Sequence, residues 1–215
     1  MNANLDEYEI FDITPMISEH LGVWPGDQPF ERRELLSFQN EDNLVLSSIL
    51  STVHLGAHAD APNHYHPEGK GIESRSVKFY LGECQVIETK TKRGERIQVE
   101  DLWDPVDSKR VLLKTRSFPN PAKWNEDFCA LSTELVEHLN DKGVRLVGID
   151  TPSVDLQNDK ELQCHNRIYN YDMAVLEGIV LGQVPAGKYQ IIALPLPIKD
   201  CDASPVRAIL LKEKA

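Results

Sequence analysis

Between His54 and His66 the chain reads H-L-G-A-H-A-D-A-P-N-H-Y-H. That run limits the local fold more than any other stretch. The four-residue gap between His54 and His58 would stack two imidazoles on one face of a helix. Gly56 and then Pro62, with its locked φ and missing N–H, argue against a helix there. An extended chain is expected instead. Its period of two sends His54, His58, Asp60 and His64 to one side, with Gly56 between the first two imidazoles. A residue without a side chain at that place leaves room for an ion and a substrate to approach the backbone. The plainer reading is a polar strand end with scattered exposed histidines. It suits a single histidine better than four aligned donors that include a carboxylate. Imidazole and carboxylate together suit a divalent first-row metal such as Zn²⁺ or Mn²⁺. No cysteine lies in the run, so a thiolate-only site is excluded.

A chain of 215 residues is expected to form one domain of the larger sort and to bury a core without covalent staples. Its net charge of −11 speaks against a nucleic-acid surface, which needs a basic patch to displace counterions from phosphates. The same charge disfavours docking on anionic lipid. Cys84, Cys129, Cys164 and Cys201 are too far apart for any C-x-x-C pair, so neither a zinc finger nor a thioredoxin-type motif is supported. The start, M-N-A-N-L-D-E-Y-E, has neither the basic nor the apolar region of an export signal, and no apolar run is long enough to span a bilayer. A reducing cytoplasm with free thiols is the expected setting.

Strand signals dominate the rest of the chain. Glu9 to Ile13 reads as a short first strand. Pro25-Gly26 at the centre of Val23 to Asp27 marks a type II turn, with Trp24 either covering the rim of a core or stacking on an aromatic ligand. Leu44 to Val53 reads as a long strand delivering the histidine run at its end. Further strands are expected at Cys84 to Thr89, Arg110 to Thr115, Val144 to Ile149, Met173 to Leu181, Tyr189 to Leu194 and Val206 to Leu211. Lys90 to Arg96 reads as a solvated basic turn, and Ser117 to Phe128 as an irregular excursion. One helix has clear signals: Ser132 as N-cap, Glu134 in the first turn, Leu135, Val136 and Leu139 on one face, and Gly143 as the stop. A helix leading directly into a strand points to an α/β protein. Asp155 reads as a turn cap or a catalytic group. Glu177 interrupts an apolar run, so it must be exposed, paired or bound to a cation.

The run His54 to His64 fits the pattern H-x-G-T-H-x-D-x-P-x-H, and with it the chain resembles the metal-dependent cyclase family. The likeness extends through V-W-P-G-D at Val23 to Asp27, L-V-G-I-D-T-P-S-V-D at Leu146 to Asp155, L-E-G-I-V-L at Leu176 to Leu181 and D-A-S-P-V-R-A at Asp202 to Ala208. The W-P-G-D turn and the closing segment are similar to those of its formamidase branch. The resemblance implies a mixed, strongly curved sheet with few helices (the family's swivelling β/α fold), assembled as a homodimer. It also implies two divalent metal ions per chain, zinc or manganese. His54, His58 and Asp60 would hold one, and Asp60 would bridge to a second completed by His165 and Glu177. His64 would be the proton donor and acceptor, and Trp24 a substrate contact. The implied reaction is hydrolysis of a small aromatic amide, N-formyl-L-kynurenine, to L-kynurenine and formate in tryptophan breakdown. A different amide, cyclic amide or lactone such as isatin, or a non-catalytic metal-binding role, are the alternatives. One departure is Ala57 where the motif has Thr; in an extended run that side chain faces away from the ligands and would brace them from behind. His66 has no assigned role.

Overall fold

A computed structural model of the chain describes residues 5–214. Met1 to Asn4, the opening of the segment read for an export signal, lie outside the described residues. Thirteen strands are formed among the described residues: β1 (Tyr8–Asp12), β2 (Glu31–Leu36), β3 (Leu46–Leu50), β4 (His58–Asp60), β5 (Leu81–Glu88), β6 (Arg96–Ile97), β7 (Arg110–Lys114), β8 (Ala130–Leu131), β9 (Leu146–Ile149), β10 (Ala174–Glu177), β11 (Gly187–Ile192), β12 (Ala203–Pro205) and β13 (Ile209–Glu213). Three α-helices accompany them: α1 (Pro62–Tyr65), α2 (Thr133–Asp141) and α3 (Gln163–Asn170).

Nine of the strands make one curled sheet in the order β1-β13-β11-β5-β7-β9-β10-β4-β12. Its centre, β5-β7-β9-β10, is parallel, and both flanks are antiparallel. The parallel strands are buried on both faces, which is why they read as continuous apolar runs rather than alternating ones. Leu112, Leu146 and Leu176 pack on one side with Tyr80 and Ile191. Val111, Leu113, Val147, Ile149 and Val175 pack on the other, against Leu135, Val136 and Leu139 of α2 and Ile168 of α3. The expected helix is α2, with the Ser132 hydroxyl accepting from Leu135 N and Gly143 at φ +76° just past its end.

One strand expectation is corrected, and one segment gains an element. The run Leu44 to Val53 contains only β3, which pairs with β2 in a separate two-stranded ribbon and is exposed along its whole length. Its apolar residues therefore serve a surface and not the core. The segment Gln163-Cys164-His165-Asn166, read without an element, opens the helix α3. The type II turn is present, with Gly26 at φ +101° and Asp27 N–H donating to the Trp24 carbonyl at 2.9 Å. Among the described residues no helix is long and apolar enough to cross a membrane.

Candidate metal centre

The site lies where β4, β10, α1 and α3 meet. His58 and Asp60 are two apart on β4, so they share a face, and both are buried. Glu177 lies directly across the ladder from His58, which puts its carboxylate on that same face. His165 comes from the first turn of α3 and is also buried. His54 reaches in from the loop before β4. His64 sits on α1, with its ring centroid 4.1 Å from that of His54 and 6.0 Å from that of His165.

The contacts divide Asp60 between two sets of donors. Its Oδ1 faces His54 Nδ1 at 3.1 Å and His58 Nε2 at 3.4 Å. Its Oδ2 faces His165 Nε2 at 3.3 Å. Glu177 closes the ring, with Oε2 at 3.4 Å from His58 Nε2 and Oε1 at 3.5 Å from His165 Nε2. Ligand atoms of His58, Asp60 and Glu177 lie within 4.8 Å of one another, as do those of His54, Asp60 and His64.

The tautomers follow from what stands behind each ring. His58 Nδ1 donates to the Gly56 carbonyl at 2.8 Å, and His165 Nδ1 donates to Asp155 Oδ2 at 2.9 Å. Both partners are acceptors only, so Nδ1 carries a hydrogen and the neutral form of each ring presents an Nε2 lone pair to the centre. There those lone pairs meet carboxylate oxygens. His58 Nε2, His165 Nε2 and both oxygens of Asp60 are buried without a hydrogen-bond partner among the described residues. Only a proton or a cation makes such an arrangement attractive. Imidazole and carboxylate are the donors that divalent zinc or manganese takes, so the residues fit a metal.

The protonation energetics agree. Burial by itself would lower the His54 pKa, but Asp60 and Asp202 raise it to about 9. Burial likewise opposes charge on His165, yet Asp155, Asp60 and Glu177 hold it well above the ordinary value of 6.5. Burial would raise the Asp60 pKa, and the surrounding imidazoles instead hold it well below the carboxylate range. His64 behaves differently. Burial, aided by His54 and His165, keeps it below 6.5 against the pull of Asp60.

The local chain departs from a uniformly extended run. Pro62 does not forbid a helix but begins one, at the first position of α1, where a missing N–H costs nothing. His64 therefore reaches the site from a helical turn. Gly56 is required by its φ of +58° and by Pro15 and Leu21, which a Cβ would meet at 3.0 and 3.1 Å. Gly178, beside Glu177, is required because a Cβ there would lie 2.1 Å from the Gly56 carbonyl, the acceptor that fixes His58. Ala57 is buried in the apolar cluster with Ala59 and Ala61, where a methyl group packs without a hydroxyl to satisfy. His66 is outside the centre, stacked on Tyr169 with centroids 3.8 Å apart.

Three supporting residues were not singled out as such from sequence. Asp155 is a cap, but of the following helix and not of its own turn: it accepts from Cys164 N and His165 N at the start of α3 while holding the His165 ring. Arg96, read as solvated, donates instead to Asp155 Oδ1 at 3.0 Å and to the Leu131 carbonyl, and also pairs with Asp159. Asp202 Oδ2 lies 3.0 Å from His54 Nε2 and 3.7 Å from His64 Nδ1. An aspartate in the quoted D-A-S-P-V-R segment was its only local signal.

A cavity of about 300 Å³ opens onto His54, His58, His64, His165 and Glu177. Trp24, Phe118 and Trp124 line it, and Trp24 meets Trp124 edge-on with centroids 5.3 Å apart. Asp150, also at the wall, is occupied by Thr115 N, Thr115 Oγ1 and Arg116 N, an arrangement that anchors the loop leading to Phe118.

A curled mixed sheet carrying buried, mutually facing imidazoles and carboxylates defines an α/β protein with a candidate cation site beside an aromatic cavity. The sequence model of the Cyclase family matches residues 11–156, and the chain belongs to that family. It is 38% identical over 204 residues to "Kynurenine formamidase" of Maricaulis maris (strain MCS10), covering 94% of this chain and 97% of that protein. Among solved structures it is similar to a "potential metal-dependent hydrolase with cyclase activity", with a TM-score of 0.83 and 25% identity, covering 97% of this chain and 100% of the other. An isatin hydrolase bound to the product analogue thioisatinate shares the fold, with a TM-score of 0.83 and 19% identity over 97% of this chain and 94% of the other.

Proposed function

We propose that the chain is a metal-dependent amidohydrolase that cleaves N-formyl-L-kynurenine to L-kynurenine and formate. The observation that carries this reading is the set of orphaned Nε2 and Oδ atoms of His58, His165 and Asp60 facing one another at the floor of an aromatic cavity. The 38% identity to the Maricaulis protein named for that reaction supports it. His54, His58 and Asp60 would hold one divalent ion, and Asp60, His165 and Glu177 would hold a second, zinc or manganese in each case. The division of Asp60 Oδ1 and Oδ2 between the two imidazole sets supports that assignment.

When bound, such ions supply Lewis acidity, lowering the pKa of a coordinated water to about 7 and polarising the formyl carbonyl. The chain's own residues do the rest. Asp155 and the Gly56 carbonyl lock the imidazoles of His165 and His58 in the tautomer that presents Nε2. His64, kept neutral at physiological pH by its burial, accepts the proton of the attacking water and delivers it to the departing aryl nitrogen. The water oxygen forms a bond to the formyl carbon, the C–N bond breaks, and formate and the free aniline leave. Trp24 flanks the aromatic ring, and Asp202 faces the His64 ring from behind.

Residues 1–215 act as one cyclase-like hydrolase domain, in a reducing cytoplasm that suits four free thiols. The active form is a homodimer. The ribbon β2–β3 supports this: a lone two-stranded ribbon is marginal in water, and here Phe38, Ile49 and Leu50 are exposed along it.

The purified protein with N-formylkynurenine, followed by absorbance, tests the activity. Hydrolysis that stops on chelation and returns with Zn²⁺ or Mn²⁺ is expected, with isatin left intact. No hydrolysis, or hydrolysis indifferent to chelation, contradicts the reading.

A further inference from the structure

The cavity carries one carboxylate that the chemistry above leaves unused. Asp27 closes the Trp24–Asp27 turn and lines the cavity with Trp24, His54 and His64. Its Oδ2 accepts from the Thr52 hydroxyl at 3.3 Å, and among the described residues no cation pairs with it. The other wall carboxylates are committed. Asp150 is taken by Thr115 and Arg116, and Glu177 faces His58 and His165. No lysine or arginine lines the cavity. Away from the metal-holding floor, a wall that is aromatic, carries a carboxylate with no cation beside it and has no lysine or arginine favours a ligand group with a positive charge.

We propose that Asp27 is the counter-ion for an alkylammonium group carried by the substrate away from its formyl amide. The cavity then selects aryl formamides with an amino-bearing side chain over neutral or purely anionic ones. A substrate carboxylate finds no lysine or arginine on the wall and stays toward water. This rests on the formamidase reading and adds a specificity-determining residue to it. A hydrogen-bonded charge pair of this kind, half-buried, corresponds to about tenfold in kcat/KM.

The test compares three probes: N-formylkynurenine, its des-amino analogue that keeps the carboxylate, and 2-formamidoacetophenone, which lacks both groups. Wild-type protein is expected to prefer the ammonium-bearing probe over the des-amino one. Asp27→Asn keeps the side-chain volume and an oxygen for Thr52. It is expected to reduce that preference about tenfold, chiefly through KM. Asp27→Lys is expected to reverse the preference towards the carboxylate-only probe. A merely structural role lowers all three rates alike and leaves the ratio unchanged, and that result overturns the proposal. Wild-type hydrolysis with no preference overturns it as well while leaving the formamidase reading intact. Hydrolysis of none of the three overturns the formamidase reading and this proposal together.

Discussion

Asp155 Oδ2 accepts the Nδ1–H of His165 at 2.9 Å and, at 3.1 Å, the backbone N–H of the same residue. One carboxylate thus fixes both the helix end and the ring orientation of a proposed ligand. Its own pKa is held far below the carboxylate range: His165 and the two backbone donors overcome the opposing effect of burial. Asp155→Ala is expected to weaken zinc binding about 10–100-fold, the usual cost of losing a group that orients a metal-bound histidine. Asp155→Asn, which keeps an acceptor oxygen, is expected to lose less. Calorimetric titration of the metal-stripped proteins checks both.

His64 stands beside the donor atoms but is assigned to the proton and not to the metal. His64→Ala is therefore expected to retain the wild-type metal content by elemental analysis while turnover of N-formylkynurenine falls about 10²–10⁴-fold. A fall in metal content would make His64 a ligand, as its proximity to His54 and Asp60 allows.

Protons must leave when the ions arrive. Without a cation, burial opposes charge on His54 but Asp60 raises its pKa to about 9, and His165 is shifted in the same direction. Both imidazoles are then charged near pH 7.5, and a cation binds only their neutral forms. Zinc binding is expected to release a proton from each, and apparent affinity to rise with pH up to about 9. The sign for folding is the reverse: in the cation-free chain these raised pKa values stabilise the fold below the ordinary histidine range. That contribution is lost as pH rises through about 9. Titrations in two buffers of different ionisation enthalpy count the protons; a count of zero contradicts the assignment.

The exposed ribbon β2–β3 is proposed to be covered in the homodimer. Ile49→Lys places a charge at a site that is 70% exposed in the single chain, so the isolated fold is expected to tolerate it. The dimer is expected to weaken about tenfold or more, read by light scattering across a dilution series. A wild-type protein that is monomeric at micromolar concentration contradicts the role given to the ribbon.

Much of the architecture was legible because its causes are local. The N-cap of Ser132 and the apolar spacing of Leu135, Val136 and Leu139 specify α2 without outside help. The type II turn at Pro25-Gly26 follows from Gly26 alone. The helix α3 lacked such a signal: its N-cap position is Leu162 in the left-handed region, and the side chain that caps it is Asp155, seven residues earlier in the same loop. Leu44 to Val53 read as one long strand because its residues are apolar and β-branched, but composition does not say how far a strand runs or which sheet it joins. Asp202 reaches back across 148 positions to His54, a contact only the closed sheet creates. Glu177 was legible as a misplaced charge in an apolar run. The cross-strand pairing with His58 supplied the reason for it.

Anomalous diffraction at the zinc absorption edge, on crystals of the metal-loaded protein, tests the central assignment most directly. Two peaks per chain are expected, roughly 3.5–4 Å apart, with Asp60 between them, His54 and His58 on one and His165 and Glu177 on the other. A single peak, or peaks away from Asp60, would contradict that assignment.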